Sequence, residues 1–269
     1  MGGRGVAQRT LREMVGTRNA KIGTFLVEFC TPGIGHILKS AGSDFALLDM
    51  EHSGFGFDTL KHALRFMEAA EMPTIVRVPS RHYHHIARAL DMGAEGVMLP
   101  MVGSAEEART IVAHAKYPPV GHRGVALRVA HDRYAPGPVL EKLRDANRRT
   151  TIFAQIETRD GVSEAERIAA VDGIDCLWIG HFDLSASLGV AGQFEHPDFL
   201  AAIDVVRKAC VKHKKSFGRL VPDVATGTAL YRAGFDFICY SGDVWVLQAA
   251  MSEGIGALRQ VCKPRRGAG

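Results

Sequence analysis

Two acidic residues stand where apolar runs give out. Glu157 closes Thr151-Ile152-Phe153-Ala154-Gln155-Ile156-Glu157, and Asp183 follows Cys176-Leu177-Trp178-Ile179-Gly180-His181-Phe182. A carboxylate beside a buried strand is costly unless something pairs with it. Two at neighbouring strand ends offer hard oxygen ligands that suit an octahedral cation such as Mg²⁺ or Mn²⁺ better than a tetrahedral zinc cage. The competing reading is that each carboxylate caps a helix or pairs with an arginine, Arg159 being the nearest to Glu157.

Three further groups have an address and a chemistry. Asp49-Met50-Glu51-His52 follows the apolar run Phe45-Ala46-Leu47-Leu48, so alternation turns His52 toward the strand's end. A histidine with a carboxylate behind it suits proton transfer near neutral pH, although it is one of 12 histidines. Arg77 interrupts Thr74-Ile75-Val76-Arg77-Val78-Pro79, where a fixed guanidinium would serve either a carboxylate or developing oxyanion, or a structural ion pair. The lysines argue by position: Lys21 and Lys215 precede apolar runs, Lys116 opens a long connection, Lys263 is near the end, and the others fall on helical stretches. None is placed for a Schiff base, so a metal ion rather than an imine should stabilise any enolate.

These groups need a scaffold, and the hydrophobic pattern supplies one. Strands are expected at residues 22–28, 45–49, 74–78, 96–99, 151–157, 176–180, 216–220 and 237–240. Between them fall amphipathic stretches at 34–40, 59–70, 83–92, 105–115, 162–170, 197–213 and 224–232, with a last helix from about Val244. Ser104-Ala105-Glu106-Glu107 reads as a capping box, Asp58 and Asp223 as N-caps, and Gly93, Gly173 and Gly234 as helix ends or turns. Eight strand–helix units with near-continuous apolar strands predict a closed (β/α)₈ TIM barrel, with a doubly wound open sheet as the competing architecture. In such a barrel the catalytic groups come from the C-terminal strand ends. The polar residues there are Glu28, Asp49, Glu51, His52, Arg77, Gln155, Glu157 and Asp183.

The expected organisation is an N-terminal extension over residues 1–20, one barrel domain over 21–260, and a flexible basic tail over 261–269. The one break in rhythm, about 116–150, is too long for a simple helix-to-strand link and reads as functional or as an interface; it includes a short helix over 138–147. The chain has 269 residues, 46% of them hydrophobic, enough for a large core. Its 33 basic and 29 acidic residues are too balanced for a nucleic-acid surface. Five scattered cysteines indicate neither a disulfide framework nor a zinc knuckle. With no apolar leader and no run long enough to span a bilayer, a soluble cytoplasmic protein is expected, with no membrane or nucleic-acid partner.

The ordered motifs then add a resemblance. Asp49-Met50-Glu51-His52, Val76-Arg77-Val78-Pro79, Leu90-Asp91-Met92-Gly93-Ala94, Leu99-Pro100-Met101-Val102, Tyr117-Pro118-Pro119, Gly121-His122-Arg123-Gly124, Gln155-Ile156-Glu157-Thr158 and Ile179-Gly180-His181-Phe182-Asp183-Leu184-Ser185 together resemble the HpcH/HpaI aldolases, metal-dependent class II pyruvate aldolases. The resemblance runs from about residue 20 to 255. It implies a phosphoenolpyruvate/pyruvate-type barrel in which Glu157 and Asp183 hold the metal (Mg²⁺, Mn²⁺ or Co²⁺). It makes His52 the catalytic histidine supported by Asp49, and Arg77 the stabiliser of the enolate. Gln155 lies beside the metal, Gly180, Phe182 and Asp183 meet the substrate carboxylate through backbone N–H groups, and Asp91 lies near a subunit boundary.

The implied reaction joins or splits pyruvate and an aldehyde through a 4-hydroxy-2-oxo acid, in a homo-oligomer expected to be a hexamer whose dimers exchange a C-terminal helix. Many members carry Gly-Pro where this chain has Gly180-His181. That departure, with His131-Asp132-Arg133-Tyr134, resembles the branch near macrophomate synthase and keeps oxaloacetate decarboxylation as an alternative source of the enolate. An acyl-CoA lyase would need a basic cleft for the nucleotide, and no Arg/Lys cluster at a strand end supports it; a non-catalytic barrel subunit is disfavoured because ligands, base and arginine occur together.

Overall fold

The computed structural model describes residues 10–262; residues 1–9 of the expected extension and 263–269 of the expected tail lie outside the described residues. In chain order the elements are α1 (Leu11–Met14), β1 (Lys21–Leu26), α2 (Ile34–Ser40), β2 (Phe45–Asp49), α3 (Phe57–Ala69), β3 (Thr74–Arg77), α4 (Tyr83–Asp91), β4 (Gly96–Leu99), α5 (Ala105–Ala115), a 3₁₀ turn (Ala130–Asp132), α6 (Val139–Arg149), β5 (Thr151–Ile156), α7 (Arg159–Ser163), α8 (Ala165–Ala169), β6 (Cys176–Ile179), α9 (His181–Ser187), α10 (Pro197–Lys212), β7 (Ser216–Val221), α11 (Val224–Arg232), β8 (Phe237–Gly242) and α12 (Asp243–Val261). The eight strands pair in sequence order, all parallel, and β8 closes on β1. This is the (β/α)₈ barrel that the alternating pattern predicts, and not an open sheet.

Alternation divides each strand between two cores. Leu48, Val76, Val97, Ile152, Ala154, Leu177 and Phe217 face outward and pack under the helices. Phe45, Leu47, Ile75, Met98, Phe153, Cys176, Trp178, Phe237 and Cys239 face inward and fill the barrel. Leu11 and Met14 of α1 join that interior cluster. Arg12 ties α1 to Asp175, just before β6, at 2.6 Å, and Gly16 donates to Ser216 Oγ at the start of β7. Helix α1 and Gly16 therefore seal the N-terminal end of the barrel and leave the opposite end open.

Each predicted strand exists, with ends moved by up to two residues. The local differences have causes. Asp58 is not an N-cap: Gly56 is, and Asp58 lies in the first turn of α3. Ser104 caps α5 by accepting from the Glu107 N–H, but the reciprocal half of the box is absent, because the Glu107 carboxylate accepts from Gly103 N–H and from Arg81. The helix read over 162–170 begins earlier and breaks at Glu164 into α7 and α8. Gly93, Gly173 and Gly234 have φ of 102°, 96° and 99°, as turn glycines should.

The segment 116–150 is built into the outer wall. Lys116 Nζ donates to the carbonyls of Asn147 and Thr150 at 2.6 Å each, Tyr117 is buried, and Arg123 pairs with Asp91 at the end of α4 at 2.5 Å.

Candidate active site

The C-terminal strand ends open into a pocket of ≈ 330 Å³ lined by Asp49, His52, Arg77, Gln155, Gly180, His181 and Asp183, with Phe25, Val27, Leu220 and Trp245 on the opposing wall. Glu28 is exposed and outside it, Glu51 and Glu157 are not among its lining residues, and among the described residues none of 116–150 and no lysine lines it. A larger cleft, ≈ 810 Å³, lies on the outside between the first turns of α4 and α5, lined by Arg81, His82, Glu107 and His114.

Register builds the first half of the site. Asp49 and Arg77 are paired positions on β2 and β3, so their side chains leave the sheet side by side. Asp49 is fully buried, and its Oδ1 accepts from Arg77 Nε at 2.7 Å; Arg77 Nη1 lies 3.3 Å from Glu51 Oε2. Burial opposes the charge on Arg77, but the bond to Asp49 and the charges of Asp49, Glu51 and Glu157 more than offset it and raise its pKa. The expected support of His52 by Asp49 takes a different form. Asp49 Oδ2 accepts from the backbone N–H of His52 at 3.1 Å, whereas the imidazole, 65% exposed, has Glu51 as its carboxylate neighbour, Nε2 to Oε2 3.9 Å. The reason is electrostatic: a buried guanidinium cannot be left unpaired, and Arg77 takes Asp49.

The second half comes from β5, β6 and the turn into α9. Glu157 is 2% exposed; its Oε1 accepts from Met101 N–H at 2.6 Å and its Oε2 from the Gln155 amide. Met101 holds a left-handed φ of 56°, and Arg81 grips its carbonyl, so a strained loop residue aims this donor. Arg159 does not pair with Glu157; it reaches the Leu188 carbonyl instead. Asp183 lies in the first turn of α9, where no side chain caps the helix. A Cβ at Gly180 would overlap Glu157 Oε2 and lie 2.8 Å from Gln155 Nε2, so only glycine lets β6 pass this close.

The charges do not balance. Burial raises the Glu157 carboxyl, the bonds from Gln155 and Met101 only partly counter it, and Glu51 and Asp183 push it further up. Burial raises Glu51 as well; Arg77 counters this, and Asp49 and Asp183 add to it. Gln155 Oε1 is buried with no hydrogen-bond partner among the described residues, and Glu51 Oε2 makes no hydrogen bond, only the ion-pair contacts to Arg77 and His52. Hard oxygen donors, an acceptor left without a hydrogen bond and a single arginine already bound to Asp49 fit a divalent cation held by Glu157 and Asp183. They form no closed cage: among the described residues no three His, Cys, Asp or Glu side chains are grouped as ligands.

Four contributors were not given a role from the sequence. Glu51 is the carboxylate between Arg77 and His52. Met101 has no sequence signal beyond its place after a strand. Asp243 follows β8, and its carboxylate accepts from the N–H groups of Val27, Glu28 and Phe29 at 2.8 to 3.3 Å, which fixes the loop after β1. His181, 8% exposed, lines the pocket with its ring centroid 4.5 Å from Phe182 and 5.1 Å from Phe194. Burial and the nearby Arg219 hold it down to about 4, so it is neutral.

A profile of the family described as HpcH/HpaI aldolase/citrate lyase matches residues 22–250. The chain belongs to that family. Its members are carbon–carbon lyases, and this chain is an enzyme of that class. It is 39% identical over 219 residues to a hydroxypyruvate/pyruvate aldolase of Paraburkholderia phytofirmans, covering 79% of this chain and 84% of that one. It is 35% identical over 214 residues to a 5-keto-4-deoxy-D-glucarate aldolase of Shigella boydii, covering 80% and 82%. An HpcH/HpaI aldolase from Desulfitobacterium hafniense superposes with a TM-score of 0.86 at 33% identity, over 93% of this chain and 96% of that chain. The family, the barrel and the strand-end pocket agree.

Proposed function

We propose that this enzyme is a metal-dependent class II aldolase that cleaves or forms 4-hydroxy-2-oxo acids through a pyruvate enolate. The observation that carries the reading is the charge pattern: Arg77 anchored on buried Asp49, the buried carboxylates Glu51 and Glu157 whose charges act on it and on each other, and Asp183 in a pocket that no lysine lines among the described residues. When bound at Glu157 and Asp183, Mg²⁺, Mn²⁺ or Co²⁺ would supply Lewis acidity to a 2-oxo acid. Arg77 stabilises the negative charge that develops on the enolate oxygen, and Asp49 holds its fork in place. His52, exposed at the mouth, moves the proton at the pyruvate methyl group and at the aldol hydroxyl, with Glu51 as its carboxylate neighbour. Gln155 fixes Glu157. The N–H groups at Phe182 and Asp183, brought close by Gly180, receive the substrate carboxylate.

Because the His52 ring is exposed and 3.9 Å from its nearest carboxylate, oxaloacetate is the second substrate supported. Its decarboxylation yields the same enolate with no proton abstracted. Release of pyruvate from 4-hydroxy-2-oxo acids should vanish in excess EDTA and return with Mg²⁺, Mn²⁺ or Co²⁺. Undiminished turnover in EDTA, or inactivation by borohydride in the presence of pyruvate, would refute the reading.

None of the 19 residues of α12 is buried in the single chain, and Leu247, Met251, Ile255 and Leu258 are exposed. We read this helix as covered by a second copy in a homo-oligomer, the hexamer that the family resemblance implies. No helix among the described residues is long and apolar enough to cross a membrane, and a cytoplasmic location is part of the same proposal.

A further inference from the structure

The pocket wall is uneven by strand order. Every polar side chain in the lining comes from the sector β2 to α9, where Asp49, His52, Arg77, Gln155, His181 and Asp183 stand among apolar neighbours such as Leu47, Met98 and Trp178; β7, β8 and β1 with the residues after them add only Leu220, Trp245, Phe25 and Val27, an apolar arc facing this polar one. Parallel pairing closes the two arcs at the β6–β7 border. His181 stands there, on the first turn after β6.

The polar arc is already engaged: Asp49 with Arg77, and Gln155 with Glu157. His181 is not. Its ring lines the pocket and has no hydrogen-bond partner among the described residues. Phe182 and Phe194 pack on it, and the Arg219 guanidinium lies behind, 5.4 Å from the Phe194 ring and 5.5 Å from that of Phe199. An imidazole whose nitrogens are uncommitted is a ready partner for a hydroxyl group, which can both accept and donate.

With the 2-oxo acid on the polar arc, the carbon chain of the second substrate is left the apolar arc of β7, β8 and β1, and His181 borders it on the β6 side. We propose that His181 selects the acceptor: it hydrogen-bonds the hydroxyl of a hydroxylated aldehyde whose carbon chain lies against Leu220, Trp245 and Val27. The proposal deepens the aldolase reading above and rests on it.

The test uses the full-length enzyme with Mn²⁺ and pyruvate, and compares glycolaldehyde with propanal, which replaces the hydroxyl by a methyl group. Wild type should prefer glycolaldehyde. His181→Phe, which keeps the aromatic packing, should lower the ratio of kcat/KM for the two aldehydes about tenfold, the scale of one lost hydrogen bond. His181→Ala should lower it in the same direction if the larger ring disturbs α9, and His181→Asn should restore part of it. A wild-type enzyme with no preference, or a ratio unchanged in both His181→Phe and His181→Ala, would overturn the role of His181. Deuterium exchange at the pyruvate methyl group, followed by NMR on the wild type without aldehyde, separates the two levels: no exchange defeats the aldolase reading itself.

Discussion

At the scale of the residue, Arg77 decides how the site works. The sequence leaves it either an oxyanion partner or a structural ion pair; the geometry shows the ion pair, with Nε spent on Asp49 and the far end of the fork near Glu51, and the oxyanion role belongs to the proposal. Arg77→Lys keeps the charge and loses the fork, so kcat should fall about a hundredfold or more, with the melting temperature close to wild type. A variant that loses stability but keeps normal kcat in its folded fraction would contradict a role in the reaction. Asp49→Ala is the opposite case, since removing one partner of a buried pair costs about 3–5 kcal/mol and should show first as lost stability in denaturant unfolding. The places of Glu157, Gln155 and Asp183 were legible because each sits at a strand end, the end a barrel keeps for its pocket; Gly180 came only from the family resemblance. The partnership of Asp49 with the His52 ring was misread, because alternation says which way a side chain points and not which of two neighbours claims it.

At the scale of the element, the junction of β6 with α9 is where the chain has least freedom. Gly180→Ala puts a methyl group into Glu157 and Gln155. The expected outcome is a folded barrel with weakened Mn²⁺ binding. The chain's two tryptophans, Trp178 and Trp245, both line the pocket, so their fluorescence should report a Mn²⁺ titration; a wild-type titration curve for the alanine variant would refute the close approach.

Helix α9 escaped the sequence reading because it has only 7 residues and directly follows a strand, so its apolar positions merge with that run. The long segment after α5 makes its own prediction through Lys116. Burial is the main cause that holds this lysine down to about 8, with Asp175 opposing it and Arg12 and Arg123 adding to it. A lysine with a native pKa below its ordinary 10.5 binds fewer protons folded than unfolded across that window, so its contribution to stability rises with pH from about 8 to 10.5. Unfolding free energies of wild type and Lys116→Met, measured at pH 7 and pH 10, should therefore diverge in favour of wild type at the higher pH. A constant difference would count against the buried ammonium.

At the scale of the whole molecule, the barrel is sealed below by α1 and open above, and α12 presents an apolar face that its own chain does not cover. Replacing Leu247 and Ile255 together by Asp should shift the sedimentation coefficient toward that of a smaller species if a second copy covers this helix. An unchanged coefficient would show that the helix is not an interface. Trp245 belongs both to that helix and to the pocket, so a loss of assembly should also lower turnover by loosening the apolar wall.

The sequence by itself determined the strand count, the closed barrel and the end at which chemistry sits, because hydrophobic alternation and strand-end polarity are local properties that each segment carries alone. It also singled out the two carboxylates proposed to hold the metal, and the arginine beside them. What only the tertiary structure decided was who meets whom: Asp49 with Arg77, Glu51 with His52, Met101 with Glu157, and His181 at the seam between a polar and an apolar wall. Those contacts join residues from different strands or depend on competition for one buried charge. Both depend on register and desolvation, which exist only once the barrel has closed.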